Sequence, residues 1–221
     1  MPSQKEVEKI FENILTAGLE GKGAKVLEEE EPEVTKTIGN EIHFYGEITP
    51  ENTLEFVESF RKLETHLLKQ KADLIGYEPE IRIHIMSEGG DMFSGFTLKN
   101  VLEKSRVKVV TIAQGACCSA ATFMFLGGSE RRMGENAYLL IHQLSTDFWG
   151  KYQDLKNEMK SCDKFMEALK KMYMTKTEIP EKKFKRLMKK DLFLSASKCL
   201  SIRSLTRLTN SNIAFVKTKY T

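Results

Sequence analysis

One serine, one histidine and one aspartate in this chain each sit at the boundary of an apolar segment, and together they carry the groups of a nucleophilic relay. Ser119 lies in GACCSAA, after the apolar run VKVVTIAQ and before a second apolar stretch. A serine hydroxyl at the start of a helix meets unpaired backbone N–H groups and a positive field, both of which favour a developing oxyanion. Helix capping is the plain alternative, because serine is a favoured N-cap. His142 closes AYLLIH, and an imidazole has the near-neutral pKa that a base for the serine proton needs. Asp191 opens DLFLSA and is the candidate carboxylate to hold the imidazole tautomer, with Asp147 and Asp163 as substitutes. A single histidine is most often structural, so His142 gains meaning only in combination.

A fourth feature, Ser87-Glu88-Gly89-Gly90, follows the segment IRIHIM. Paired glycines let a backbone approach a ligand closely and aim free N–H groups at it, although a simple strand-to-helix turn has the same signature. Cys117 and Cys118, next to Ser119, offer a second nucleophile, since helix N-termini depress thiol pKa values. The four cysteines, Cys117, Cys118, Cys162 and Cys199, show no paired metal spacing, and reduced, mostly buried thiols are expected. Neither a metal nor a cofactor is expected.

These residues need a scaffold of alternating elements. Apolar patterning predicts a strand at Glu41–Tyr45, a helix at Glu51–Lys69 with Leu54, Val57, Phe60, Leu63 and Leu67 inward, and a strand at Ile81–Met86. A helix at Phe93–Lys104, a strand at Lys108–Ala113, a short helix at Ser119–Gly127 and a strand at Tyr138–Gln143 follow. Alternation of this kind argues for parallel βαβ units, which place ligands at the carboxyl ends of their strands. Beyond Gly150 one long helical pattern runs toward Pro180, long enough to project and pack on a neighbouring subunit.

Residues 4–20 read as an amphipathic helix, followed by the EEEEPE run from Glu28 to Glu33 as an extended linker. The organisation expected is therefore a divergent amino-terminal segment at 1–37, a compact domain at 38–200 and a divergent tail at 201–221. With 221 residues, 41% hydrophobic and 29% charged, the chain is neither wholly disordered nor fibrous. A net charge of +3 is too small to point to nucleic acid, and the basic stretch Lys182–Lys190 carries Phe184, Leu187 and Met188 at amphipathic-helix spacing. No apolar run is long enough to span a bilayer and no secretory signal pattern is present, so a cytoplasmic protein with no membrane partner is expected.

From about Ile42 to Leu200 the order and spacing of these motifs resemble ClpP, the proteolytic-subunit family of the Clp protease. EIRIHIMSEGG resembles the family's strand and glycine pair, with Glu88 where proline is usual. Gly115–Ala120 resembles the nucleophile segment, with Ala120 where methionine is common, while LIHQ and DLFLSA resemble the histidine and aspartate motifs. The resemblance implies an α/β fold, the ClpP/crotonase-like spiral of ββα units, with Tyr152–Met174 as a projecting handle helix. It implies a serine endopeptidase with Ser119, His142 and Asp191 as triad, and the N–H groups of Gly90 and Ala120 as oxyanion hole. Substrate would pair as an added strand with the backbone of Gly89, Asp91 and Met92 on one side and Gln143, Leu144 and Ser145 on the other. The partners implied are further copies of the chain in two stacked heptameric rings, polypeptide substrates, and an AAA+ unfoldase of the ClpX or ClpA/ClpC type, which would use the ATP. Open alongside this are a noncatalytic ring scaffold, a viral maturation protease of the same fold, and a crotonase-like acyl-CoA enzyme.

Overall fold

Thr49 and Pro50 start the first helix for identifiable reasons: the Thr49 hydroxyl accepts the Asn52 N–H at 3.1 Å, and Pro50 fills the first position, where no N–H is needed. The computed structural model describes residues 33–202 and 207–209. The expected helix at 4–20 and all but Glu33 of the glutamate run lie outside them. From Val34 onward the chain is one unit, ordered β1 (Thr35–Ile38), β2 (Glu41–Tyr45), α1 (Pro50–Asp73), β3 (Glu80–Ser87), α2 (Met92–Glu103), β4 (Lys108–Cys118) and α3 (Ala121–Gly127). There follow β5 (Glu130–Gly134), β6 (Tyr138–Ile141), α4 (Tyr152–Lys176), α5 (Glu181–Leu187), β7 (Leu192–Ser195), α6 (Ala196–Ser201) and β8 (Arg207–Thr209).

The strands form one sheet in the order β1-β2-β3-β4-β5-β8, with β6 and β7 branching from β4. Pairs β2–β3, β3–β4, β4–β5, β4–β6 and β5–β8 are parallel, whereas β1–β2 and β6–β7 are antiparallel. Strand β4 carries two neighbours on one edge. Val110–Ala113 pair with β5, and Ala116–Cys118 then pair with β6. Between them the register against β3 slips, because Ile85 faces Ala113 whereas Ser87 faces Cys117.

Alternation sets the core. Ile81, Ile83 and Ile85 of β3 are fully buried together with Phe44, Phe56, Phe60, Leu98 and Phe125, while Arg82 and His84 point to the other face. Most expected elements are present with shifted ends. The α1 stripe is rotated from expectation: Phe56 is buried and Leu54 is 62% exposed. Strand β4 runs on to Cys118, beyond the expected end at Ala113, since the polar break at Gln114-Gly115 is an irregularity inside the strand. Helix α3 consequently starts at Ala121, two residues later than expected. Polar composition hid β1 and β5, in which only Thr35 and Met133 are buried. The expected tail at 201–221 contributes β8 at the edge of the sheet.

Candidate active site

Ser119 sits between the end of β4 and the start of α3 with φ 51, the left-handed region that a side chain occupies at a cost of about 1–2 kcal/mol. Its N–H donates to the Leu140 carbonyl at 2.9 Å, and α3 has no side-chain cap, so the serine hydroxyl is not spent on capping. The Ser119 carbonyl accepts the Thr122 hydroxyl at 2.6 Å, and that hydroxyl is also hydrogen-bonded to the buried Tyr173 hydroxyl. Burial pushes the Tyr173 phenol well above its ordinary pKa, against a smaller lowering by Thr122, so it stays a neutral donor.

The glycine pair wraps this turn. Gly89 has φ 105, and Gly90, with φ 140, lies in a bridge with Ile48. Ile48 N–H donates to Gly89 O and Asp91 N–H to Ile48 O, each at 2.8 Å. A Cβ on Gly90 would meet the Ile48 carbonyl oxygen at 2.2 Å, which only glycine avoids. The N–H groups of Gly90 and Ala120 donate to no other described residue. Asp91 caps α2 by accepting the Ser94 N–H at 2.7 Å. Partial burial opposes its ionisation, but hydrogen bonds from Ser94, Phe93 and Met92 win and hold its pKa below the usual value.

Ser119, Ala120 and His142 line one cavity of about 390 Å³ with Gly90, Asp91, Met92, Gln143, Leu144 and Ser145. Gly89 lies beneath it, against Ser119. Asp191 is outside the cavity and exposed. The antiparallel ladder of β6 and β7 ends with Ile141 opposite Leu192, and His142 and Asp191 are the next residues beyond that last pair. No hydrogen bond joins His142 to Ser119 or to Asp191 among the described residues. The alternative carboxylates Asp147 and Asp163 do not line the cavity either.

Cys117 and Cys118 are buried and absent from the cavity lining. Burial, reinforced by the Glu88 carboxylate, pushes the Cys118 thiol up to about 12, and burial raises Cys117 well above the ordinary range. Both are protonated at neutral pH, which removes the basis of the cysteine alternative.

The cavity also has walls that the sequence did not disclose. Phe165, Leu169 and Tyr173 of α4 face it at helical spacing, and Phe165 meets the Phe93 ring edge-on at 5.4 Å. Their periodicity was visible, but it reads equally as packing against a neighbour.

The sequence profile of the Clp protease family matches residues 56–202. The chain belongs to the Clp protease family. It is 30% identical over 125 residues to the ATP-dependent Clp protease proteolytic subunit of Deinococcus radiodurans, covering 56% of this chain and 61% of that one. It is 29% identical over 130 residues to proteolytic subunit 2 of Treponema denticola, covering 58% and 65%. The chain thus spans about three fifths of the length of the curated relatives it matches. A solved structure of a ClpP1 mutant from Listeria monocytogenes superposes with TM-score 0.67 at 18% identity, covering 78% of this chain and 92% of that one. The ββα spiral with its projecting helix is therefore the Clp protease fold, and the matched segment contains both Ser119 and His142.

Proposed function

We propose that this member of the Clp protease family is the proteolytic subunit of an ATP-dependent Clp protease, a serine endopeptidase cleaving unfolded polypeptides and peptides. Ser119 attacks the scissile carbonyl, His142 takes its proton and returns it to the leaving amine, and Asp191 orients the imidazole and supports its positive charge. The N–H groups of Gly90 and Ala120 bind the tetrahedral oxyanion, each worth on the order of 3 kcal/mol of barrier. Substrate adds as a strand between the backbone of Gly90–Met92 and that of Gln143–Ser145, which makes cleavage tolerant of side-chain sequence. The chemistry asks for no cofactor, since water is the second substrate, and the ATP is spent by a partner unfoldase.

The observation that carries this reading is one cavity lined by a left-handed Ser119, by His142, and by Gly90 and Ala120, whose N–H groups donate to no other described residue. Assembly into stacked heptameric rings is supported by the first half of α4, where Tyr152 is 71% and Met159 67% exposed. In water those apolar surfaces call for a partner, and further copies of the chain supply one. A fluorophosphonate probe is expected to modify Ser119 alone, and Ser119→Ala to abolish peptide cleavage by the assembled protein. Full-rate cleavage by Ser119→Ala overturns the proposal.

The exposed Asp191, without a bond to His142, supports a second reading as a noncatalytic ring subunit. Assembled protein that neither cleaves peptides nor takes the probe would select it.

A further inference from the structure

The sheet face turned away from the core carries a cluster of ligating side chains that shares no residue with the cavity. Glu41 and His43 alternate along β2, and the parallel register sets His43 beside His84 of β3. Forty-one positions apart in the sequence, the two rings stack with centroids 4.5 Å apart and planes 12° apart. One carboxylate oxygen of Glu41 and one ring nitrogen from each histidine lie within 4.8 Å of one another. We propose that Glu41, His43 and His84 bind one divalent transition-metal ion of the zinc type, with water completing the coordination.

The donor set fits that class. Two imidazoles and a carboxylate suit zinc and its neighbours, whereas magnesium and calcium take oxygen-rich shells. Tetrahedral ligands about 2.0–2.1 Å from zinc lie about 3.4 Å apart. Glu41 Oε2 is already 3.3 Å from His84 Nε2 and 3.8 Å from His43 Nε2, close to that spacing, and binding turns the two rings out of their stack so that both nitrogen lone pairs converge on the ion.

His84 Nε2 supplies an independent pointer. It is buried and makes no hydrogen bond, although the Glu41 carboxylate faces it. A buried polar atom without a partner calls for an unseen one, and an ion between nitrogen and carboxylate meets that need.

Outer partners are in place as well. His43 Nδ1 meets the Tyr45 hydroxyl at 3.2 Å, and His84 Nδ1 meets the Gln114 amide at 2.6 Å. With the amide turned end for end, its oxygen accepts the Nδ1 proton and leaves Nε2 free as a ligand. Arg82 holds the second Glu41 oxygen at 3.2 Å, which fixes Oε2 toward the histidines. The ion takes no part in the hydrolysis proposed above; it would tie β2 to β3 on the exposed face.

The test is zinc titration, by calorimetry and by thermal melting, of full-length protein without a histidine tag, stripped of metal and kept reduced. One zinc per chain and a raised melting temperature are expected. His43→Ala and His84→Ala each lower the affinity at least about tenfold while zinc-free melting and circular dichroism report an intact fold. Tyr45→Phe, which removes only the hydroxyl behind His43, lowers the affinity by about tenfold. No zinc uptake by the wild-type chain overturns the proposal. So does unchanged affinity across these variants, which would place the ion elsewhere, for example on the cysteines.

Discussion

A methyl group on Gly89 would come within 2.7 Å of the Ser119 Cβ and 2.9 Å of the Cys118 carbonyl oxygen. The glycine also has φ +105, where side chains are strained. Gly89→Ala must therefore displace the serine turn or distort its own backbone. A loss of about 2 kcal/mol of stability in urea titrations is expected, with at least about a hundredfold fall in peptide cleavage, because a misplacement of about 1 Å costs that much. Wild-type rates in this variant would show that the contact does not position the nucleophile.

The left-handed backbone at Ser119 has its own signature. Ser119→Gly and Ser119→Ala both remove the hydroxyl, but only glycine relaxes φ 51. Ser119→Gly should be more stable than Ser119→Ala by about 1 kcal/mol, despite glycine's greater entropy when unfolded. Paired urea titrations check this, and equal stabilities would contradict stored strain at the turn.

Tyr173 acts on the serine through Thr122, since its hydroxyl reaches the group that bonds the Ser119 carbonyl. Tyr173→Phe keeps the buried ring and leaves Thr122 bonded to Ser119, so a loss of about 1 kcal/mol is expected. As a positioning residue it should lower kcat while leaving KM nearly unchanged. A rise in KM alone would assign Tyr173 to substrate binding.

Cysteine labelling separates the nucleophiles. With the Cys118 thiol pushed up to about 12 and burial raising Cys117 well above the ordinary range, neither presents a thiolate at neutral pH. Iodoacetamide on the folded protein should label the partly exposed Cys162 and spare Cys117 and Cys118, as read by peptide mass spectrometry. Rapid alkylation of Cys118 would reinstate the thiol alternative.

Acid should weaken the β4–β5 edge in a defined window. Arg132 first, with Lys108, each 2.7 Å from Glu130, lowers its pKa from 4.5 to about 2 against a desolvation that opposes it. A depressed carboxylate pKa stabilises the fold fully above about 4.5, and that stability is lost as pH falls toward about 2. Glu130→Gln should be less stable than wild type at neutral pH, and the difference should shrink across this window in urea titrations. A difference independent of pH would assign the effect to packing.

What was legible in the sequence divides along physical lines. Elements with apolar periodicity, such as Ile81–Ile83–Ile85 and the α4 pattern, announced themselves, and the compact order of SEGG, GACCSAA and LIHQ pointed to one cavity. Polar strands were hidden because their stability comes from ladder hydrogen bonds and ion pairs, as in β5 with Glu130 and Arg132, and from little buried side-chain surface. The φ of Ser119 and the His43–His84 stack were illegible for a different reason. The stack arises from the β2–β3 register, which joins residues with no local pattern in common, and the φ belongs to a turn whose left-handed backbone would lead one to expect glycine there.

The forked edge of β4 has a mechanical corollary. The β6–β7 pair that leads to His142 and Asp191 meets the rest of the sheet at three ladder positions, Ala116 to Cys118, and through the Ser119 N–H bond to Leu140, whereas β3 and β4 are paired along much of their length. A substitution that breaks the β4–β6 pairing is therefore expected to displace His142 and Asp191 together, while the longer β3–β4 ladder keeps the rest of the sheet in register.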